Sequence, residues 1–202
     1  MRSRTQGLAT EGTTAVTGAP TPIVAALAGR RIDAAGAEPA RFPLARAPAV
    51  QRAIAEVLAR ESVGLLVCSA ACGADLLALQ AAIDLDVRCR VILPFDPADF
   101  RRTSVTDRPG PWGSLYDGII AAVARAGDLV VLDGSVGDDQ AYRGANEMIV
   151  REAVLAAGSS HGLAILVWDG RPHEDVTDAT AEFRRLTAGA GMYERVVVTC
   201  GD

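Results

Sequence analysis

Gly64-Leu-Leu-Val-Cys68 runs straight into Ser69-Ala70-Ala71-Cys72-Gly73-Ala74-Asp75 and then into a leucine- and alanine-rich segment. An unbroken apolar run of five residues, a cluster of small residues and a helical pattern follow one another within about twenty positions. Alternation of apolar and polar residues would mark a half-exposed strand. An unbroken run marks one that is covered on both faces, as in a parallel sheet. Five further runs of the same kind occur: Ile23-Val-Ala-Ala-Leu-Ala28, Arg90-Val-Ile-Leu93, Asp128-Leu-Val-Val-Leu132, Leu163-Ala-Ile-Leu-Val-Trp168 and Arg195-Val-Val-Val-Thr199. Most of them stop at Gly, Ser, Pro or Asp-Gly, residues that favour turns.

Helical periodicity fills the gaps. Residues 49–60 place Val50, Ile54, Val57 and Leu58 on one face, and 74–83 do the same with Leu76, Leu77, Leu79 and Ala82. Segments 115–126 and 141–157 are amphipathic, and 180–187 is a shorter candidate. Strands alternating with helices predict an α/β fold: a Rossmann-like, doubly wound, mainly parallel sheet of five to six strands with helices on both faces. Residues 1–21 are rich in Thr, Gly, Ala and Pro without periodicity and read as a flexible leader, leaving 22–202 as a single domain. The irregular stretch 94–113 is long for a loop in such a domain, so it is expected to carry function and to hide a turn of helix at 97–102.

Composition narrows the function classes. The chain has 202 residues and 21.0 kDa, half of them hydrophobic and 22% charged, which excludes an intrinsically disordered or fibrous protein. A net charge of −5 weighs against a general nucleic-acid binder, which needs a basic face. All 20 cationic side chains are arginines, so Schiff-base chemistry and a Walker-type phosphate lysine are excluded. No apolar run approaches the ~18 residues of a membrane helix. Cys68, Cys72, Cys89 and Cys200 lack paired metal-ligand spacing, with only His161 and His173 to join them, and read as thiols of a reduced cytoplasm.

In an open parallel sheet, ligands bind beyond the carboxyl ends of the strands. The residues after each strand are therefore the candidates: Gly29, Arg30 and Arg31; Ser69, Ala70, Ala71, Cys72 and Gly73; Asp133 and Gly134; Asp169. Small residues at 69–73 let a helix N-terminus approach an anion such as phosphate, or else simply let the helix pack closely on the sheet. Asp75 reads as a complement to the positive end of that helix. Arg30 and Arg31 suit a second phosphate, as guanidinium is a bidentate anion receptor. Arg101, Arg102, Thr103, Ser104 and Arg108 offer a similar surface in the long loop.

The segment Cys68-Ser69-Ala70-Ala71-Cys72-Gly73-Ala74-Asp75 with Leu77-Ala78 resembles the S-G-G-A-x-G-A/I-D-x-x-A motif of the SLOG superfamily, which includes DprA and the LOG-type phosphoribohydrolases. The specific match spans about ten residues, and element order extends it over roughly 23–170. Ala70 and Ala71 stand where the family has glycines. The resemblance implies a nucleotide or nucleotide-derived ligand with its phosphate near residues 69–73, and a homodimer. On that reading Gly73→Asp should abolish binding and leave the fold intact. The LOG-type enzymes carry P-G-G-x-G-T-x-x-E after strand four, which is missing from residues 132–147, so their glutamate has no counterpart. Glu147 and Asp139 are the remaining catalytic candidates.

Arg143 and Glu147, four apart, are spaced for a surface ion pair. Tyr142 and Asn146 share a helix face and suit stacking on a base and bonding to a ribose, or else plain helix packing. Asp133, Asp138 and Asp139 offer carboxylates to Mg²⁺, though they fit a solvated acidic loop better; no cofactor is expected. The sequence thus points first to a cytoplasmic nucleotide-binding sensor or regulatory module, neither membrane-bound nor nucleic-acid-bound. An N-glycosidase acting on a nucleoside monophosphate comes second, and DprA-like binding of single-stranded DNA third.

Overall fold

Each of the six apolar runs forms a strand of one sheet. The computed structural model describes residues 22–172 and 178–200; the leader at 1–21 and His173 lie outside the described residues. The strands are β1 (Ile23–Gly29), β2 (Val63–Cys68), β3 (Arg88–Leu93), β4 (Leu129–Val131), β5 (Leu163–Trp168) and β6 (Tyr193–Val198). All neighbouring pairs are parallel, in the order β4-β3-β2-β1-β5-β6. The helices are α1 (Ala47–Arg60), α2 (Ala74–Asp84), α3 (Pro97–Phe100), α4 (Trp112–Arg125), α5 (Asp139–Ala157) and α6 (Ala179–Gly189). The architecture is the doubly wound α/β fold that the unbroken runs predict.

The strand pleat divides the core in two. Ala25 and Leu27 of β1 and Leu163, Ile165 and Val167 of β5 face α1, α2 and α4. Val24 and Ala26 with Ala164, Leu166 and Trp168 face α5 and α6. Successive side chains point to opposite faces, so a strand covered on both must be apolar throughout. Helix α2 is buried at eight of its eleven positions because it packs against α1, α4 and the sheet.

The winding reverses beside β1. Strands β2, β3 and β4 extend the sheet one way from it, and β5 and β6 the other. The chain therefore opens a crevice between the carboxyl ends of β1 and β5, where α1 and α5 diverge. The long irregular stretch lies over this edge. It holds α3, started by Pro97 and capped by Asp96, whose carboxylate accepts the amides of Ala98 and Asp99. A π-helical turn follows over Arg101–Val105 and sends Ser104 and Val105 inward. Such turns are frequent at functional sites.

Candidate functional site

Two adjoining chambers occupy the crevice. The inner one, about 200 Å³, is walled by Leu27, Ala28, Gly29, Pro94, Phe100, Ala145 and Ile149, with Ser69, Asp75, Ser104, Tyr142, Asn146, Thr180 and Arg31 as its polar residues. The outer one, about 470 Å³, is lined by arginines 30, 31, 41 and 108 with Asp33, Glu38 and Asp178. Gly29, Arg31, Ala179 and Thr180 line both.

Tyr142 and Asn146 reach the inner chamber from consecutive turns of α5, the shared face that their spacing predicts. Asp138 starts that helix by accepting the amide of Gln140. The Tyr142 hydroxyl lies 3.3 Å from Ser104 Oγ, and its ring meets Phe95 edge-on at 5.7 Å. Asn146, 8% exposed, donates from Nδ2 to the carbonyl of Ala179 at 3.0 Å.

The start of α2 is closed by the protein itself. The amide of Cys72 donates to Ser104 O (3.0 Å), that of Ala74 to Arg30 O (3.1 Å) and that of Ala71 to the Asp75 carboxylate (3.1 Å). Gly73 has φ +98°, and a Cβ there would meet Arg30 O and Ile32 N at 2.8 Å. Its glycine serves the close approach of the β1 loop, so Gly73→Asp would disturb the fold instead of sparing it. Gly29 is likewise a packing glycine, since a Cβ would press on Ala74 Cβ at 2.6 Å. Of the five small residues singled out here, Ser69 and Ala71 line the inner chamber, whereas Ala70, Cys72 and Gly73 are buried behind it.

Asp75 is 7% exposed and lines the inner chamber. Burial raises its carboxyl from the ordinary 3.8 to about 7, against the opposing pull of the Ala71 amide and of Arg31. A desolvated carboxyl beside a cavity is a functional-site signature. The sequence marks Asp75 only as a complement to the helix start, and nothing in the local pattern announces its burial.

The arginines divide by partner. Arg30, 8% exposed, is held by Asp178 (2.6 Å), Asp169 (3.3 Å) and the carbonyl of Arg171, so its charge is satisfied internally. Arg41 lies 3.7 Å from Asp169. Arg101 pairs with Asp117 and Arg102 with Asp99 on the outer surface, away from both chambers. Arg31 and Arg108 share Asp107.

Other candidates lie elsewhere. Glu147 is exposed and lines neither chamber; Arg143 pairs with Glu182 at 3.2 Å, because α6 packs on α5 and brings that carboxylate to it. Asp139 is exposed at the start of α5, beside a small pocket of about 120 Å³ shared with Tyr142. Asp133 is exposed, and Gly134 is a packing glycine, since a Cβ there would press on Ala141 Cβ and Pro94 O at 2.6 Å. Trp168 packs beneath Arg30, 5.6 Å from its ring centroid. Among the described residues, no three His, Cys, Asp or Glu side chains gather closely enough to hold a metal ion. Nor, among them, is any helix long and apolar enough to cross a membrane.

Phe100 forms part of the pocket wall, and its only trace in the sequence is its place among the apolar residues of the long loop; Ser104, one of that loop's candidate anion-binding residues, meets the Tyr142 hydroxyl in the inner chamber. No protein-family model matches the chain, and no curated protein does.

Proposed function

We propose that this protein captures a nucleotide or nucleotide-derived ligand in the crevice between β1 and β5, as a sensor or regulatory module. The observation that carries this reading is the inner chamber, where an apolar wall meets a few convergent polar groups at the point where the winding reverses. Tyr142 offers a ring for a base, and Asn146 and Ser69 offer hydrogen bonds for its edge or for a ribose. The SLOG resemblance of residues 68–78 leads to the same ligand class independently.

A thermal-shift screen of mono-, di- and cyclic nucleotides and ADP-ribose tests it. A ligand at 100 times its Kd should stabilise the fold by about 2.7 kcal/mol, a shift of roughly 5–10 °C. Tyr142→Ala should remove most of that shift. No shift with any nucleotide ends the reading.

Asp75 favours a second reading, the N-glycosidase. A carboxyl with a value near 7 is protonated often enough at neutral pH to deliver a proton to a departing base. It would supply a carboxyl group inside the chamber, which the exposed Glu147 does not line. Chromatography for free base separates the two readings, and Asp75→Asn should bind the ligand but release no base.

A further inference from the structure

The start of α2 is a poor place for a phosphate, because the amides of Ala71 and Cys72 just before it and of Ala74 and Leu76 in its first turn already have acceptors, the Asp75 carboxylate among them. The outer chamber offers the opposite arrangement. Arg31 and Arg108 both line it, and Asp107 is the carboxylate that both approach, with the Cys72 thiol also beside Arg31. Arg31 donates to Asp107 Oδ1, while Arg108 Nε stands 3.5 Å from Asp107 Oδ2 without hydrogen-bond geometry. The Nε atoms of both arginines are shielded from solvent and have no hydrogen-bond partner. A guanidinium presents five donors in a planar fork, so two guanidiniums on a single carboxylate leave donors unmet.

We propose that Arg31 and Arg108 form the phosphate clamp of this crevice, and that Asp107 holds their place until the phosphate of the ligand displaces it. The inference rests on the nucleotide reading for what lies further in. Arg31 lines both chambers, so a base inside would direct its phosphate outward to the clamp. The other cations do not compete. Arg30 is neutralised by Asp169 and Asp178, and Arg41 donates to the carbonyl of Arg171 beside Asp169. Of the acidic groups, Asp33 is engaged by the amides of Arg41 and Phe42. Preorganisation comes from the backbone: Arg31 forms a bridge with Gly73, which pins its Cα against α2. Asp107 sits in the turn between the π-helical segment and α4, and its side chain is 33% exposed, so it can swing into water. A phosphate supplies one more acceptor oxygen than the carboxylate it replaces and engages such forks bidentately.

The test titrates pyrophosphate, nucleoside 5′-monophosphates and the matching nucleosides into the wild type and four variants. Arg31→Gln and Arg108→Gln should each weaken pyrophosphate and monophosphate binding about tenfold or more, the loss expected for a charge-assisted bond. Asp107→Asn should tighten both several-fold, a gain that misfolding cannot imitate. Arg125→Gln, at the far end of α4, should change nothing. Unchanged affinity in Asp107→Asn together with Arg31→Gln and Arg108→Gln overturns the clamp. So does equal affinity for nucleosides and their monophosphates, which leaves the nucleotide pocket standing. Arginine-dependent pyrophosphate binding with no response to any nucleotide upholds the clamp and removes the nucleotide reading.

Discussion

Two aspartates at opposite ends of the sheet are both withdrawn from water, and they behave oppositely. Asp75, 7% exposed, lies beyond the carboxyl ends of the strands, with the Ala71 amide as its hydrogen-bond donor. Asp128, 2% exposed, lies just before β4 at the amino ends. It is gripped by Arg88 through two bonds of 2.8 Å and by Arg90 at 3.2 and 3.3 Å. Burial drives the Asp75 carboxyl up to about 7, whereas the Arg88 bonds hold Asp128 below its ordinary 3.8. Desolvation alone penalises the charged form, and paired arginines reverse that balance. One end of the sheet is electrostatically complete, and the other keeps an uncompensated group beside a cavity.

The largest effect should come from Asp75→Asn. The folded chain holds the Asp75 proton more tightly than the unfolded chain. The stability it contributes is therefore full below about 3.8 and is lost as pH rises through about 7. Wild-type urea midpoints should fall over that window by the equivalent of about 4 kcal/mol, and Asp75→Asn should flatten the fall. A wild type with no such slope would mean that Asp75 is solvated or paired, and the contrast would collapse.

Gly73→Ala comes next, at about 2–3 kcal/mol, from a positive φ and from contact with the Arg30 and Ile32 backbone. Chemical denaturation measures it. Should the β1 loop be pushed away and water reach Asp75, the pH slope would shrink in parallel.

Asp128→Asn tests the other end and should cost about 2 kcal/mol near neutral pH. The cost stays below that of an enclosed pair because Arg88 is 60% exposed and can turn to water. Here the sign is reversed. A lowered carboxyl contributes stability above about 3.8 that is lost as pH falls through its still lower folded value. The variant should therefore lose part of the acid-side fall that the wild type shows. Smallest is Glu152→Gln, about 0.5 kcal/mol by thermal denaturation, since its 2.6 Å pair with Arg90 is partly solvated. A loss several times larger would show that the amino-end network acts as a unit.

Much of the fold was legible from local pattern. Unbroken runs such as Leu163–Trp168 announced strands covered twice, and the i, i+4 face of Tyr142 and Asn146 announced which side of α5 meets the crevice. The small residues at 69–73 were legible as a close approach, but not as to what approaches. Gly73 makes room for the β1 loop and not for a ligand. Glu147 was a candidate as the glutamate nearest the missing family motif and Asp169 from its position after a strand, yet one faces water and the other holds Arg30.

The sequence by itself determined the element order, the parallel sheet and the edge at which a ligand site would form, because period and turn chemistry are encoded among near neighbours. Only the tertiary structure decided which charges are compensated. Asp75 is raised, Asp128 lowered, Arg30 neutralised and Arg31 left sharing Asp107, through partners and walls that come from distant parts of the chain. Desolvation and ion pairing depend on what surrounds a group in space, and no local pattern in the chain records that.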